Sequence, residues 1–256
     1  MTGVWQTSPA ASELAPGAAT RHNAGMDLQP TSSQPQSQPH CQPHWACGVI
    51  LAGGLSRRMF AETSAGGDKA LLALGATTML DRVIATFAPQ VAMLALNANG
   101  DPGRFAAFGL PVVADTIGGF VGPLAGVLAG MRWAAAAAPS STHIVTVSGD
   151  APFLPGNLVS RLMTAAADHP RAIALARSNG EWHPVIGAWP VVLADDLEAA
   201  LVSGVRKVLR WTDVHGTIPV DFAFANIGGE QVDPFFNANT PDELDEARRL
   251  LALAHP

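Results

Sequence analysis

Three cations share one glycine-rich stretch of this sequence. Arg57 and Arg58 stand in Leu51-Ala-Gly-Gly-Leu-Ser-Arg-Arg-Met59, and Lys69 closes Gly66-Gly-Asp-Lys69. Glycines let a backbone turn approach a phosphate closely with its N–H groups pointing inward. A glycine turn with cations beside it is a place to hold a polyphosphate. The stretch is not a Walker A loop, because the glycine–lysine–serine/threonine ending is missing. It is not a dinucleotide fingerprint, because the G-x-G-x-x-G spacing is absent. Lys69 is the candidate for offsetting the charge of such a polyphosphate, or is a solvated loop lysine. Arg57 and Arg58 could clamp phosphate oxygens; successive residues point apart, so at least one of the pair is expected to face solvent. Asp150 has the residue type for a magnesium ligand, since that ion takes one or two protein carboxylates and completes its shell with phosphate and water. An aspartate that merely opens a turn has the same spacing, and spacing leaves the two readings open.

The elements that must position these residues are set by periodicity. The apolar run Gly48-Val-Ile-Leu51 reads as a buried strand. Residues 78–87 read as helix, 91–96 as strand, 104–108 as a short helix, 111–114 as strand and 124–138 as an alanine-rich helix. Further on come a strand over 143–147, a helix over 155–167, strands over 172–176 and 184–188, helices over 191–201 and 205–212, and a strand over 217–220. The last helix carries the clearest start signal: Thr240 as N-cap, Pro241 at the first helical position and Glu243 completing a capping box. This alternation predicts an α/β fold, a single doubly wound and mostly parallel sheet with helices on both faces. Ligands of such sheets sit outside the carboxyl ends of the strands. Gly53, Asn97, Asp115 and Asp150 come after four successive strands and fall there. The alanine-rich helix opens with Gly122-Pro-Leu-Ala-Gly126, whose N-terminus is a natural anion site; Gly126 and Gly130 serve that site or simply allow close packing.

The chain has 256 residues, 48% hydrophobic and only 14% charged, enough for a sizeable core. Residues 1–46 differ in kind: rich in Pro, Gln, Ser, Ala and Thr, without apolar period, they read as a disordered low-complexity tail ahead of one domain over 47–256. The tail has neither a basic start nor an apolar centre, so it is not a secretory signal. No stretch approaches the roughly 18 apolar residues of a membrane span. A net charge of −6 argues against binding nucleic acid or an anionic membrane. The two cysteines give no disulfide framework, so the chain reads as cytoplasmic. His40, Cys41, His44 and Cys47 are metal-ligand types, but spaced too tightly for a usual zinc site.

Taken together, the motifs resemble the molybdenum cofactor guanylyltransferase family. Besides the opening loop, the segments that carry the resemblance are Asn97-Ala-Asn99, Asp115, Gly122-Pro-Leu-Ala-Gly-Val127, Asp150-Ala-Pro-Phe-Leu-Pro155, His183-Pro-Val185 and Asn237-Ala-Asn-Thr-Pro-Asp-Glu-Leu244, in the family's order. The resemblance runs from about Gly48 to the C-terminus. It implies a Rossmann-like nucleotidyltransferase fold and transfer of GMP from GTP to the terminal phosphate of molybdopterin, with Mg2+ needed and pyrophosphate released. It implies that Leu51, Ala52, Gly53, Lys69, Asn97, Asp115 and Asp150 contact GTP, that Asp150 holds the metal, and that Lys69, Arg58 and Asp150 carry catalysis. His183, Arg206, Lys207 and Asn237 match the family's acceptor side. From residue type alone, His183 is equally a structural histidine, Arg206 and Lys207 a solvated helix face, and Asn237 with Asn239 turn residues. The resemblance implies GTP and molybdopterin as partners; the tail could recruit a molybdoenzyme or its chaperone, and the chain is expected to act as a monomer. One departure stands out: Phe60-Ala-Glu-Thr-Ser-Ala65 intervenes where the family runs almost directly into glycine-aspartate-lysine. Cytidylyltransferase relatives tend to have Leu-Ala-Ala-Gly where this chain has Leu51-Ala-Gly-Gly54, and the second glycine leaves room for a purine. Other nucleotidyltransferases that act on cobinamide phosphate or sugar phosphates share the loop, and a nucleotide-binding or partner-binding module without turnover is the reading from a different class.

Overall fold

The computed structural model describes residues 46–53, 59, 67–118 and 122–254. Its strands in chain order are β1 (Cys47–Leu51), β2 (Ala73–Leu74), β3 (Thr77–Thr78), β4 (Met93–Asn97), β5 (Val112–Val113), β6 (His143–Ser148), β7 (Ile173–Ser178), β8 (Glu181–Pro190), β9 (Thr217–Phe222), β10 (Ala225–Ile227) and β11 (Glu230–Val232). Its α-helices are α1 (Met79–Phe87), α2 (Pro123–Ala137), α3 (Leu158–Ala166), α4 (Ala194–Val202), α5 (Val208–His215) and α6 (Pro241–Ala254).

Alternation along β1 explains the layering. Successive side chains of a strand point to opposite faces. Cys47 and Val49 join one core cluster with Leu124, Leu128 and Met131 of α2, Leu197 of α4 and Trp211 of α5. Ile50 joins the other with Leu80, Val83 and Phe87 of α1 and Leu158 and Leu162 of α3. The sheet is therefore buried on both faces, which is why its inner strands read as continuous apolar runs. Seven strands pair in the order β5-β4-β1-β6-β8-β7-β9. All but β8 point the same way: β8 is antiparallel to both β6 and β7, while the remaining pairings are parallel. The expected mostly parallel sheet is present. The reversal at β8 comes from Asn179-Gly180, both at positive φ (47° and 83°), which fold β7 back onto β8 as a two-residue hairpin turn.

Several expected boundaries shift. The helix expected at 205–212 begins at Val208, so Arg206 and Lys207 precede it rather than forming a solvated face of it. The strand expected at 184–188 extends over Glu181–Pro190. The short hairpins β2–β3 and β10–β11 were not expected from the sequence. The capping box of α6 forms as read: Glu243 Oε2 accepts from Thr240 N (2.9 Å) and Glu243 N donates to Thr240 Oγ1 (3.2 Å). Ala46, assigned to the tail, is fully buried, and its carbonyl accepts from Ala92 N (3.1 Å), so the fold begins no later than Ala46. The rest of the tail, including His40, Cys41 and His44, lies outside the described residues. Cys47 is fully buried in β1, where burial pushes its thiol pKa up. Among the described residues no helix is long and apolar enough to cross a membrane.

Candidate nucleotide site

Parallel strands bring their carboxyl ends to one edge of the sheet. At that edge lies a cavity of about 330 Å3, within the range of small-molecule sites, about 300–1,000 Å3. Leu51, Ala52, Gly53, Lys69, Asn97, Asp115 and Asp150 all line it. These seven are the described members of the expected nucleotide set. Arg57, Arg58, Gly54 and the 60–65 insert lie outside the described residues.

One wall is built around Asp150, whose residue is only 3% exposed. It comes after β6 through Gly149, whose N–H donates to Leu51 O (3.0 Å) and so ties the turn to β1. Lys69 pairs with Asp150 Oδ2, and Ser148 Oγ donates to Asp150 Oδ1. Lys69 Nζ also donates to Asn239 Oδ1 at 2.6 Å. The asparagine left to a turn by the sequence therefore reaches across the chain to the candidate catalytic lysine. The Asp150 carbonyl accepts from Ala238 N (3.2 Å), which docks the approach to α6 against the same wall.

The opposite wall is an amide–carboxylate bracket. Asn97 Nδ2 donates to Asp115 Oδ1 (2.9 Å) and to Val113 O (3.0 Å). Asn99 Nδ2 donates to Asp115 Oδ2 (2.8 Å), and Asn99 Oδ1 accepts from Asp115 N (2.9 Å). Both carboxylate oxygens are thus held, and the carboxylate is fixed in orientation. Asn99 was not among the expected site residues. Alternation along Asn97-Ala-Asn99 was the available signal, because residues two apart on an extended chain share a face.

The N-terminus of α2 closes the cavity. Gly122 is its N-cap at φ +87°, a conformation that disfavours any side chain. Gly122 and Pro123 line the cavity, so the positive end of a helix of 15 residues opens on it. Gly126 and Gly130 lie deeper on the face packed against the sheet. A Cβ on Gly126 would stand 2.3 Å from Asn97 Oδ1, and one on Gly130 would stand 2.8 Å from Val49 Cγ2. Both glycines therefore serve close packing, and Gly126 makes room for the bracket itself.

None of the residues matched to the acceptor side lines this cavity, although the Arg206 carbonyl lies 3.9 Å from where a Cβ on Gly122 would stand. His183 sits in a separate polar cluster. Ser178 Oγ donates to Asp233 Oδ1 (2.9 Å), so its lone pair accepts from His183 Nε2–H (2.6 Å). The imidazole packs 4.6 Å from the Phe235 ring. Burial lowers the His183 pKa, and the charges of Asp233 and Glu181 oppose that shift. Arg206 is exposed and donates to the carbonyls of Leu201 (2.7 Å) and Val205 (2.8 Å), so it satisfies the end of α4. Lys207 is exposed at the start of α5 and makes no cap hydrogen bond through its side chain. Asn237 Oδ1 is buried without a hydrogen-bond partner among the described residues.

This edge-of-sheet cavity sits within a known domain type. The family model for the MobA-like NTP transferase domain matches residues 48–216. A molybdenum cofactor guanylyltransferase of Mesorhizobium japonicum is 51% identical over 205 residues, covering 80% of this chain and 95% of that protein. One of Rhodopseudomonas palustris is 49% identical over 203 residues, covering 79% and 92%. The chain belongs to the molybdenum cofactor guanylyltransferase family. It is a nucleotidyltransferase. The solved structure of molybdopterin-guanine dinucleotide biosynthesis protein A from Archaeoglobus fulgidus shares the fold, with a TM-score of 0.59 at 19% identity over 80% of this chain and 98% of that one.

Proposed function

We propose that the cavity binds GTP with magnesium and that the enzyme transfers GMP to the terminal phosphate of molybdopterin. A phosphate oxygen of the acceptor forms a bond to the α-phosphorus, the bond from that phosphorus to the bridging β-oxygen breaks in line, and pyrophosphate leaves. The observation that carries this reading is the pairing of Lys69 with the buried carboxylate of Asp150 at one end of a cavity whose other end is the Asn97–Asn99–Asp115 bracket. The names borne by the relatives support GTP as the donor.

Asp150 is the residue that would hold magnesium. Among the described residues no three His, Cys, Asp or Glu gather as a ligand cage. That donor set fits an ion which keeps waters and takes most of its oxygens from substrate phosphates. Bound there, magnesium would supply charge neutralisation across the phosphates. Lys69, released from Asp150, would face the triphosphate and offset charge as pyrophosphate departs. Asn239 would keep the ammonium in place during that exchange, and the N-terminus of α2 would add a fixed positive potential. The bracketed Asp115 would accept hydrogen bonds from a guanine edge or a ribose hydroxyl.

The test is pyrophosphate release from GTP, CTP and ATP, each with magnesium and molybdopterin, by wild type and Asp150→Asn. Release with GTP alone, reduced at least about 100-fold in the variant, is the expected result. Release with CTP would replace the donor, and GTP binding without release from any nucleotide would leave a binding module.

A further inference from the structure

Arg104 does not line the cavity, yet it joins the cavity's two walls. It sits in the 3-10 helix Pro102–Phe108. Its Nη2 donates to Asn99 O (2.6 Å) and its Nη1 to Asp101 O (2.9 Å). Its Nε lies 2.5 Å from Asp68 Oδ2 without hydrogen-bond alignment, so that contact is an ion pair. The guanidinium stacks 4.8 Å from the Phe105 ring centroid, and Phe105 is fully buried. Four contacts on one planar fork fix its position.

Asp68 precedes Lys69 and is the N-cap of the 3-10 turn Lys69–Leu71, but its carboxylate makes no cap hydrogen bond. An aspartate at a helix N-cap ordinarily turns its side chain onto its own helix. Here the carboxylate turns away to Arg104, and the backbone alone closes the turn: Leu71 N donates to Asp68 O (3.0 Å) and Leu72 N to Lys69 O (3.1 Å). At its other end Arg104 grips the carbonyl of Asn99, whose side chain holds Asp115.

We infer that Arg104 is a positioning residue, a strut that sets the lysine-bearing turn at a fixed distance from the Asn99–Asp115 bracket. Its effect on turnover rests on the GTP reading above; its effect on the turn does not. A lysine should not replace it, because its ammonium, though it has three donors, lacks the planar fork whose Nε, Nη1 and Nη2 each reach a different acceptor here.

The experiment compares Arg104→Met, Arg104→Lys, Asp68→Asn and Arg104→Met/Asp68→Asn with wild type. Amide hydrogen exchange is monitored across residues 67–72 without nucleotide, alongside GTP kinetics. Expected are exchange at Leu71 and Leu72 faster by about tenfold and a GTP KM raised by about tenfold with a smaller change in kcat. The double variant should be no worse than either single variant, and Arg104→Lys should restore neither readout. Wild-type exchange in Arg104→Met, additive effects in the double variant, or full rescue by lysine would each overturn the strut. A wild type that releases no pyrophosphate overturns the GTP reading instead, and the exchange data still decide the strut.

Discussion

Gly126→Ala should damage both stability and nucleotide use, although the change is from a poor helix former to the best one. In an exposed helix interior the replacement would gain about 1 kcal/mol. Here the new methyl would lie 2.3 Å from Asn97 Oδ1, 3.0 Å from Asn97 Cγ and 2.9 Å from Leu51 Cδ2. Asn97 is 5% exposed and is held by two donated hydrogen bonds, so the added methyl must displace either it or the helix. If it swings away, it loses a neutral hydrogen bond to Val113 O and a charge-assisted one to Asp115, together about 2–4 kcal/mol. If α2 moves instead, overpacking costs about 1–3 kcal/mol and the Gly122 end of the cavity shifts with it. Set against the propensity gain, the first route leaves a net loss of about 1–3 kcal/mol and the second about 0–2 kcal/mol; a loss of about 1–2 kcal/mol lowers the melting midpoint by about 2–8 °C for a domain of this size. A displacement near 1 Å at the bracket should also lower kcat/KM for the nucleotide by about 10- to 100-fold. Gly130→Ala is the control: its methyl meets Val49 Cγ2 at 2.8 Å and Ile144 Cδ1 at 3.0 Å, away from the cavity, so it should lose stability and keep the nucleotide KM. Calorimetry and pyrophosphate-release kinetics read both variants. A Gly126→Ala enzyme that melts higher than wild type with unchanged kinetics would refute the packing argument.

Two other perturbations test the surroundings of the site. Thr146 is fully buried, donates to Val185 O (2.6 Å) and accepts from Trp189 Nε1 (2.7 Å). Thr146→Val strands both partners and should cost about 2–4 kcal/mol by denaturant titration, with Trp189→Phe in that background recovering part of the loss; a midpoint unchanged within error would contradict it. Burial lowers the pKa of His143 and of His183. With the folded values below the unfolded value of about 6.5, the unfolded chain binds more protons as pH falls through that value, so stability should be full above it and decline toward pH 5, by at most about 1.4 kcal/mol per pH unit for each histidine. Urea unfolding at pH 7.5 and pH 5.5 checks this, and the decline should shrink in His143→Gln; an equal slope in that variant would remove His143 from the account.

The positions of Gly53, Asn97, Asp115 and Asp150 were legible because strand periodicity and the parallel-sheet rule are both local readings whose consequences are global. Strands buried on both faces announce themselves as apolar runs, and parallel order then puts the residues just after each strand on one edge. The polar contacts within the site were less legible. Lys69 and Asp150 are separated by most of one half of the fold, and no spacing rule joins them. The Lys69–Asn239 bond depends on where the approach to α6 docks, which the Asp150 carbonyl decides. The misplaced start of α5 has a local cause. Gly204 at φ +95° ends the preceding turn, and Arg206 is drawn back to the carbonyl of Leu201, so the chain is still capping α4 where helix was expected. The reversal of β8 was in plain view as Asn179-Gly180, the strongest short hairpin signal, and the alternation of strands and helices masked it.

The charges of the site explain how an acidic chain can accept an anionic nucleotide. A lone lysine in a half-buried cavity would attract phosphate, and a lone aspartate with 3% exposure would pay heavily for its charge. Paired, they compensate one another, with Ser148 and Asn239 satisfying an atom of each. On the proposed reading a triphosphate and a divalent cation enter as complementary partners, phosphate oxygens for Lys69 and the cation for Asp150. The exchange replaces one opposite-charge pair by two and exposes neither side chain unpaired. A triphosphate alone would leave Asp150 buried without its lysine, and a divalent cation alone would leave Lys69 without its carboxylate. The same geometry therefore couples the two ligands: each completes what the other would leave broken. It also gives the bracket opposite a separate task. Asp115, held on both oxygens by Asn97 and Asn99, keeps its charge but is fixed in orientation, which on the proposed reading suits it to accept from a nucleoside hydrogen-bond donor.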